Sequence, residues 1–199
     1  DDIYPQPREI LEAVNEIKAD DDIIATDVGQ HQMWVAQYCR FESKKTLLTS
    51  GGMGTMGFGM GAAIGAQVSH LDKRVFLVTG DGSFHMNLNE LVTLKSYDLP
   101  VIVLVMNNTV LGMVRQWQKL FYGSRFSQTD PHRATDFVAL ANAFGIDGMR
   151  ITKPEEIKPV LKKAFDLNRP VVVDCHISPD VNVLPMIPPG KTIAEIVTE

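Results

Sequence analysis

Cysteine is scarce in this sequence. Cys39 and Cys175 are the two among 199 residues, they lie far apart, and no CxxC sits at either. Both fall in apolar stretches, so free, buried thiols in a reducing compartment are expected. A chain of about 200 residues buries roughly 70% of its unfolded surface and needs no staples. Positive charge is also short: Lys+Arg total 19 against 24 Asp+Glu, a net charge of −5. The basic runs are Lys44-Lys45 and Lys162-Lys163, read as solvated faces, which excludes a dedicated nucleic-acid binder. Long apolar runs are missing too. Residues 51–68 carry no charge, but seven of those 18 residues are glycine, which suits a glycine loop feeding a buried helix and not a membrane span. Asp1-Asp2-Ile3-Tyr4-Pro5 has neither a basic region nor an apolar core, so no signal peptide is expected there. No linker divides the chain. With 45% hydrophobic and 22% charged residues, the composition is that of a soluble globular domain.

Helix and strand patterns alternate along the chain. Pro7 opens a helix whose Ile10, Leu11, Val14 and Ile17 follow the 3.6 period. Strands are predicted over residues 23–26, 46–49, 74–79, 101–106, 148–151 and 170–176. Helices are predicted over residues 31–39, 57–69, 88–96, 111–120, 135–144 and 154–166, with Thr135 as a cap and Gly145 just past that helix. Pro185, Pro188 and Pro189 make the tail from about residue 178 irregular. The pattern predicts an α/β fold with an open, mostly parallel sheet and helices on both faces. Ligands of such sheets bind beyond the carboxyl ends of the strands. Four polar or glycine-rich segments stand there: Asp27-Val28-Gly29-Gln30, Ser50-Gly51-Gly52, Gly80-Asp81-Gly82 and Asn107-Asn108.

Asp81 stands between two glycines at a strand end, and one helix and one returning strand separate it from Asn108. A parallel neighbour strand would bring the two together. One carboxylate, one amide oxygen and a carbonyl from Val110 make a poor cage by themselves. They suit Mg²⁺ that completes its octahedron with water and phosphate oxygens. Asp-Gly and Asn-Asn are also common turn formers, so two plain turns remain the alternative. Gly52-Met53-Gly54-Thr55-Met56-Gly57 fits GxGxxG between a strand and a helix, with Asp81 at the end of the next strand. That leaves an NAD-binding reading open as well.

Gly80-Asp81-Gly82, 24 intervening residues, and Asn107-Asn108 resemble the thiamine-diphosphate motif of thiamine-dependent enzymes. The stretch from Asn107 through Met113-Val114-Arg115-Gln116-Trp117 to Tyr122 is similar to the large subunits of the acetolactate synthase (acetohydroxyacid synthase) family. So are Gly29-Gln30-His31-Gln32-Met33-Trp34, the segment 49–57, and Val183-Leu184-Pro185-Met186-Ile187-Pro188-Pro189-Gly190. The likeness implies a thiamine-diphosphate-binding fold across residues 1–199. It implies Mg²⁺ on Asp81, Asn108 and a carbonyl near Val110. Gln30, His31, Gly80, Gly82 and Ser83 would form the diphosphate side. Gly54 would approach the aminopyrimidine, Met56 would wedge the cofactor into its bent shape, and Met113 would lie against it. Val114 and Trp117 would line a substrate channel, with Trp117 shaping the choice of acceptor. Absent the family, Met113, Val114 and Trp117 read as one core-facing helix stripe.

The resemblance also implies what stands elsewhere. The glutamate that activates the cofactor belongs to an amino-terminal domain of a partner subunit, so no catalytic residue is assigned to this chain, and Glu90 is no substitute. The family's pyrimidine domain and its FAD-binding middle domain find no match here. An excised domain or a split subunit, inactive alone, is the resulting expectation. For the complete enzyme the resemblance implies decarboxylation of pyruvate and transfer of the hydroxyethyl unit to a second 2-keto acid, pyruvate or 2-ketobutyrate, in branched-chain amino acid biosynthesis. A homodimer or homotetramer through the thiamine domains, a regulatory small subunit, and a cytoplasmic or, in a eukaryote, organellar location go with it. Nucleic acid and membrane are not expected as partners. Pyruvate oxidase or glyoxylate carboligase types are the enzymatic alternatives, and an inactive assembly module is the alternative of another class.

Overall fold

The computed structural model describes residues 3–198. In chain order the elements are α1 (Pro7–Ile17), β1 (Ile23–Thr26), α2 (Gln30–Tyr38), β2 (Leu47–Leu48), α3 (Phe58–Ser69), β3 (Val75–Gly80), α4 (Asp81–Phe84), α5 (Leu91–Ser96), β4 (Ile102–Asn107), α6 (Gly112–Phe121), α7 (Phe137–Ala143), β5 (Asp147–Ile151), α8 (Ile157–Asp166) and β6 (Val171–His176). Short 3-10 turns add Leu88–Glu90, Pro154–Glu156 and Ile193–Glu195. The six strands form one sheet in the order β2-β1-β3-β4-β6-β5. Every pairing is parallel, so the sheet is wholly and not just mostly parallel.

Apolar residues on successive positions of a strand feed two cores. Ile102, Leu104 and Met106 of β4 pack with Ile10 and Leu11 of α1, Trp34 of α2 and Leu161 of α8. Val103 and Val105 face the other way, toward Met60 of α3, Leu94 of α5 and Phe137 of α7. Period two therefore sorts one continuous apolar run onto both faces of the sheet. Fully buried Phe76, Phe84 and Phe137 each contribute roughly 2–3 kcal/mol by area. From β1 the chain moves to β2 at one edge, then returns past β1 to β3 and β4. The strand order reverses between β1 and β3, and a crevice opens there at their carboxyl ends.

Four local expectations need correction. The segment after β3 is a single helical turn, α4, where neither helix nor strand was predicted. The helix expected over 88–96 divides into a 3-10 turn and α5. The cap of α7 is Asp136, whose carboxylate accepts from the N–H groups of Val138 and Ala139. Thr135 is spent elsewhere, since its hydroxyl meets His85 Nε2 at 2.7 Å. The tail is irregular but pinned, with an antiparallel bridge between Met186 and Val197. Cys175 is buried and Cys39 only partly so, and neither is in a disulfide.

Candidate cofactor site

The crevice is framed by a carboxylate to which the sequence assigned a strand end but no partner. Asp27 follows β1 and is 1% exposed. Its Oδ1 accepts from the N–H groups of Gly57 at 2.7 Å and Gly59 at 3.2 Å, and its Oδ2 from the Thr79 hydroxyl at 3.0 Å. One side chain thus ties the end of β1 to the glycine loop and to the end of β3. Burial pushes its carboxyl up, while those N–H donors pull it down. Gly57 has a left-handed φ of 91°, which favours glycine. A Cβ on Gly59 would stand 2.7 Å from Leu77 and 2.8 Å from the Asp27 nitrogen. The close helix–strand approach therefore falls at Gly59, beyond the GxGxxG of 52–57. The available signal was position: an aspartate directly after a strand and ahead of a glycine loop full of unpaired N–H groups.

His31 stands in the first turn of α2, wedged against Gly29 and Gly80. A Cβ on either glycine would come within 2.9 Å of its ring. Burial lowers its imidazole to about 3, so it is neutral, and its Nε2 is buried without a hydrogen-bond partner among the described residues. Ser83 donates its hydroxyl to the Val28 carbonyl at 2.9 Å, closing α4 onto the loop after β1. The first-turn N–H groups of α4 have no acceptor inside a helix.

Gly80 pairs with Met106 in the β3–β4 register, so Asp81 and Asn108 leave adjacent strands side by side. Burial raises the Asp81 carboxyl to about 6, against the pull of backbone N–H groups and the nearby Arg133. Asn108 Oδ1 accepts from the Val110 N–H at 3.2 Å, and its Nδ2 donates to Gln30 Oε1 at 3.2 Å. Thr109 between them has φ +62°, a strained conformation for a β-branched residue. Asn107 turns the other way, donating to buried Asp174 at 2.9 Å and accepting from the Thr109 N–H at 3.3 Å. Asp174 also accepts from Arg150 Nε at 3.1 Å and pairs with His176 Nε2 at 3.0 Å. Sequence reading missed this support, which joins residues far apart in the chain.

Gln30, His31, Met56, Gly80, Asp81, Gly82, Ser83, Asn108, Val110, Met113 and Val114 line one cavity of about 110 Å³. Gly54 and Trp117 are not in that lining. Gly54 lies on the exposed loop with φ +70°, and Trp117 packs edge-on to Phe121 at 5.5 Å beside a shallower opening shared with Met113 and Val114. The Gln30 amide is wholly engaged by protein, donating to Gln116 Oε1 at 2.9 Å and to the Val181 carbonyl at 3.0 Å. Glu90 stands outside the lining, holding Thr93 and Asn89.

The donors fit a hard cation carrying its own oxygen ligands. Among the described residues no three of His, Cys, Asp and Glu gather as a metal cage. Asp81 and Asn108 supply one carboxylate and one amide, and Mg²⁺ on such a pair takes the rest of its shell from water and phosphate. His31, whose Nε2 is unpartnered, lines the same cavity as Asp81, Gly82 and Ser83 of α4. No helix among the described residues is long and apolar enough to cross a membrane.

Residues 27–175 match the family described as thiamine pyrophosphate enzyme, C-terminal TPP binding domain. The chain is 48% identical to the acetolactate synthase large subunit of Parasynechococcus marenigrum over 98% of its length, and 44% identical to that of Porphyra purpurea over 96%. It is 42% identical to the acetolactate synthase isozyme 2 large subunit of Escherichia coli over 94% of its length. It spans about a third of each relative: 31%, 32% and 34% respectively. With the wholly parallel sheet consistent with this match over residues 27–175, the chain belongs to the thiamine pyrophosphate enzyme family, as its C-terminal TPP-binding domain.

Proposed function

We propose that this chain holds thiamine diphosphate through Mg²⁺ and serves as the cofactor-binding part of an acetolactate synthase. The observation that carries this reading is the juxtaposition of Asp81 and Asn108 at the ends of β3 and β4. Asp81, the Asn108 amide oxygen and the Val110 carbonyl would hold the metal. Gly82, Ser83 and the backbone of Gln30 would meet the diphosphate, and neutral His31 would turn its free Nε2 toward it. When bound, thiamine diphosphate supplies the electron sink through which a 2-keto acid loses carbon dioxide. The chain's own part is positional. Met56 and Met113 form an apolar wall that keeps water from the reacting end, and Val114 and Trp117 restrict what approaches it.

The remaining two thirds of the relatives' length is where the reading puts an activating glutamate and an FAD site. The reaction proposed for the complete enzyme joins two 2-keto acids, pyruvate with pyruvate or with 2-ketobutyrate, for branched-chain amino acid synthesis. Two or four copies would meet through these domains, with a regulatory small subunit alongside. The place of work would be the cytoplasm or, in a eukaryote, an organelle.

Fluorescence of Trp34 and Trp117 titrated with thiamine diphosphate tests the binding step. Saturable quenching that requires Mg²⁺ and disappears with chelator is the expected result, while a response to NADH alone would overturn the reading. For the complete enzyme, pyruvate turned to 2-acetolactate supports the synthase, and acetyl phosphate in its place points to an oxidase.

A further inference from the structure

The loop between α6 and α7 brings a cation to the far side of the diphosphate turn. Two long-range anchors hold it there. The Leu111 N–H donates to the Thr129 carbonyl at 2.8 Å, and the Thr135 hydroxyl meets His85 Nε2 at 2.7 Å. His85 in turn contacts the Asp81 carbonyl through Nδ1 at 2.6 Å. Arg133 lies between these anchors. Its Nη1 is buried and has no hydrogen-bond partner among the described residues. That atom stands 3.5 Å from where a Cβ on Gly82 would be, close to Leu111 and Met56 on the same side of that glycine.

A guanidinium nitrogen is a strong donor that protein interiors rarely leave unmatched. Here it lies beside the Gly82 turn, at a spot a side chain would crowd, since a Cβ there would stand 3.0 Å from Leu111 and 3.5 Å from Arg133 itself. Arg133 and Asp81 also line a second hollow of about 260 Å³ behind the turn. Of the acids there, Asp174 and Asp136 are held by Arg150, while the Asp81 carboxyl lies near enough to feel the charge of Arg133. No carboxylate forms a salt bridge with Arg133 among the described residues. A phosphate oxygen arriving at Gly82 would give Nη1 the hydrogen-bond acceptor it lacks.

We propose that Arg133 is a diphosphate-binding residue, donating from Nη1 to a phosphate oxygen over Gly82 and supplementing the metal held by Asp81 and Asn108. This rests on the reading of the cavity as a thiamine-diphosphate site.

The test is calorimetric titration of the wild type and of Arg133→Gln and Arg133→Lys with Mg²⁺-thiamine diphosphate and with Mg²⁺-pyrophosphate. Mn²⁺ alone is titrated by its paramagnetic resonance signal. Loss of one charge-assisted donor should weaken both anions about tenfold or more in Arg133→Gln. Arg133→Lys should lose less, and the Mn²⁺ affinity should stay within about twofold of wild type. Equal anion affinities in wild type and Arg133→Gln overturn the proposal and leave the site intact. Parallel losses for both anions and for Mn²⁺, with a lowered unfolding midpoint, assign Arg133 to loop packing and overturn it too. A wild type that binds neither anion overturns the reading of the cavity, and this proposal with it.

Discussion

Gln30 and Gln116, 86 positions apart, are joined amide to amide: Gln30 Nε2 donates to Gln116 Oε1 at 2.9 Å. The same Gln116 oxygen accepts from the Val183 N–H at 2.8 Å, and its Nε2 donates to the Val183 carbonyl at 3.0 Å. Two side chains therefore stitch α2 to α6, and α6 to the tail. Gln116→Ala would strand three buried groups, at roughly 1–3 kcal/mol each before relaxation. A urea unfolding curve should lose about 3 kcal/mol, and limited proteolysis should open the tail beyond residue 180. A loss under about 1 kcal/mol would mean the tail is held by its apolar contacts.

Asp81 imposes a pH dependence of known sign. Burial raises its carboxyl from 3.8 to about 6, so the folded protein binds this proton more tightly than the unfolded chain. Its stabilising contribution is complete below about pH 4 and is lost as the pH climbs through about 6. In chelator the wild type should then be less stable at pH 7 than at pH 4.5, by at most roughly 3 kcal/mol from this group. Asp81→Asn should flatten that difference and abolish Mg²⁺-dependent ligand binding. An unchanged pH profile in Asp81→Asn would assign the dependence to other groups.

Asp174 acts on the turn from Asn107 to Val110 at one remove. It is fully buried and accepts from Asn107 and Arg150, and Asn107 in turn holds the Thr109 N–H. Asp174→Ala would leave the Arg150 and Asn107 donors unmatched and should cost about 3 kcal/mol by chemical denaturation. In the fraction still folded, Mn²⁺ affinity should fall because the turn loses its backing. Asp174→Asn should restore much of the affinity and less of the stability.

The periodic features were legible because they repeat. Ile10, Leu11 and Val14 announced α1, and the apolar run before Asn107 announced a strand covered on both sides. Asp81 and Asn108 could be placed because a parallel sheet aligns successive strand ends. What escaped was chemistry that closes over distance. Asp136 was displaced by its neighbour Thr135 as the cap because both residue types can cap, and only the partner at His85 decides between them. Asp27 was noted as a strand-end residue but not as an acceptor, since nothing local reveals that the N–H groups of Gly57 and Gly59 return to it. The GxGxxG template put the tight approach in 52–57, although Gly59 meets Leu77. Spacing shows where the chain turns. It does not show which backbone arrives there.

The two thiols should be inert in the folded protein. Burial drives Cys175 far up and Cys39 to about 12, so almost no thiolate exists at neutral pH. An aromatic disulfide reagent at pH 8 should react slowly with the native protein and promptly with two thiols in denaturant. Fast reaction at Cys39 in native conditions would show that the end of α2 opens locally.

Gly29 and Gly80 belong to different strand ends, yet the same imidazole fills the space above both. His31 therefore acts as a gauge block: the gap between the two loops is set by the thickness of one aromatic ring. A methyl added on either glycine would stand 2.9 Å from that ring and press on it. The width of the crevice is a shared dimension of three residues, and evolution or design could alter it only by changing them together.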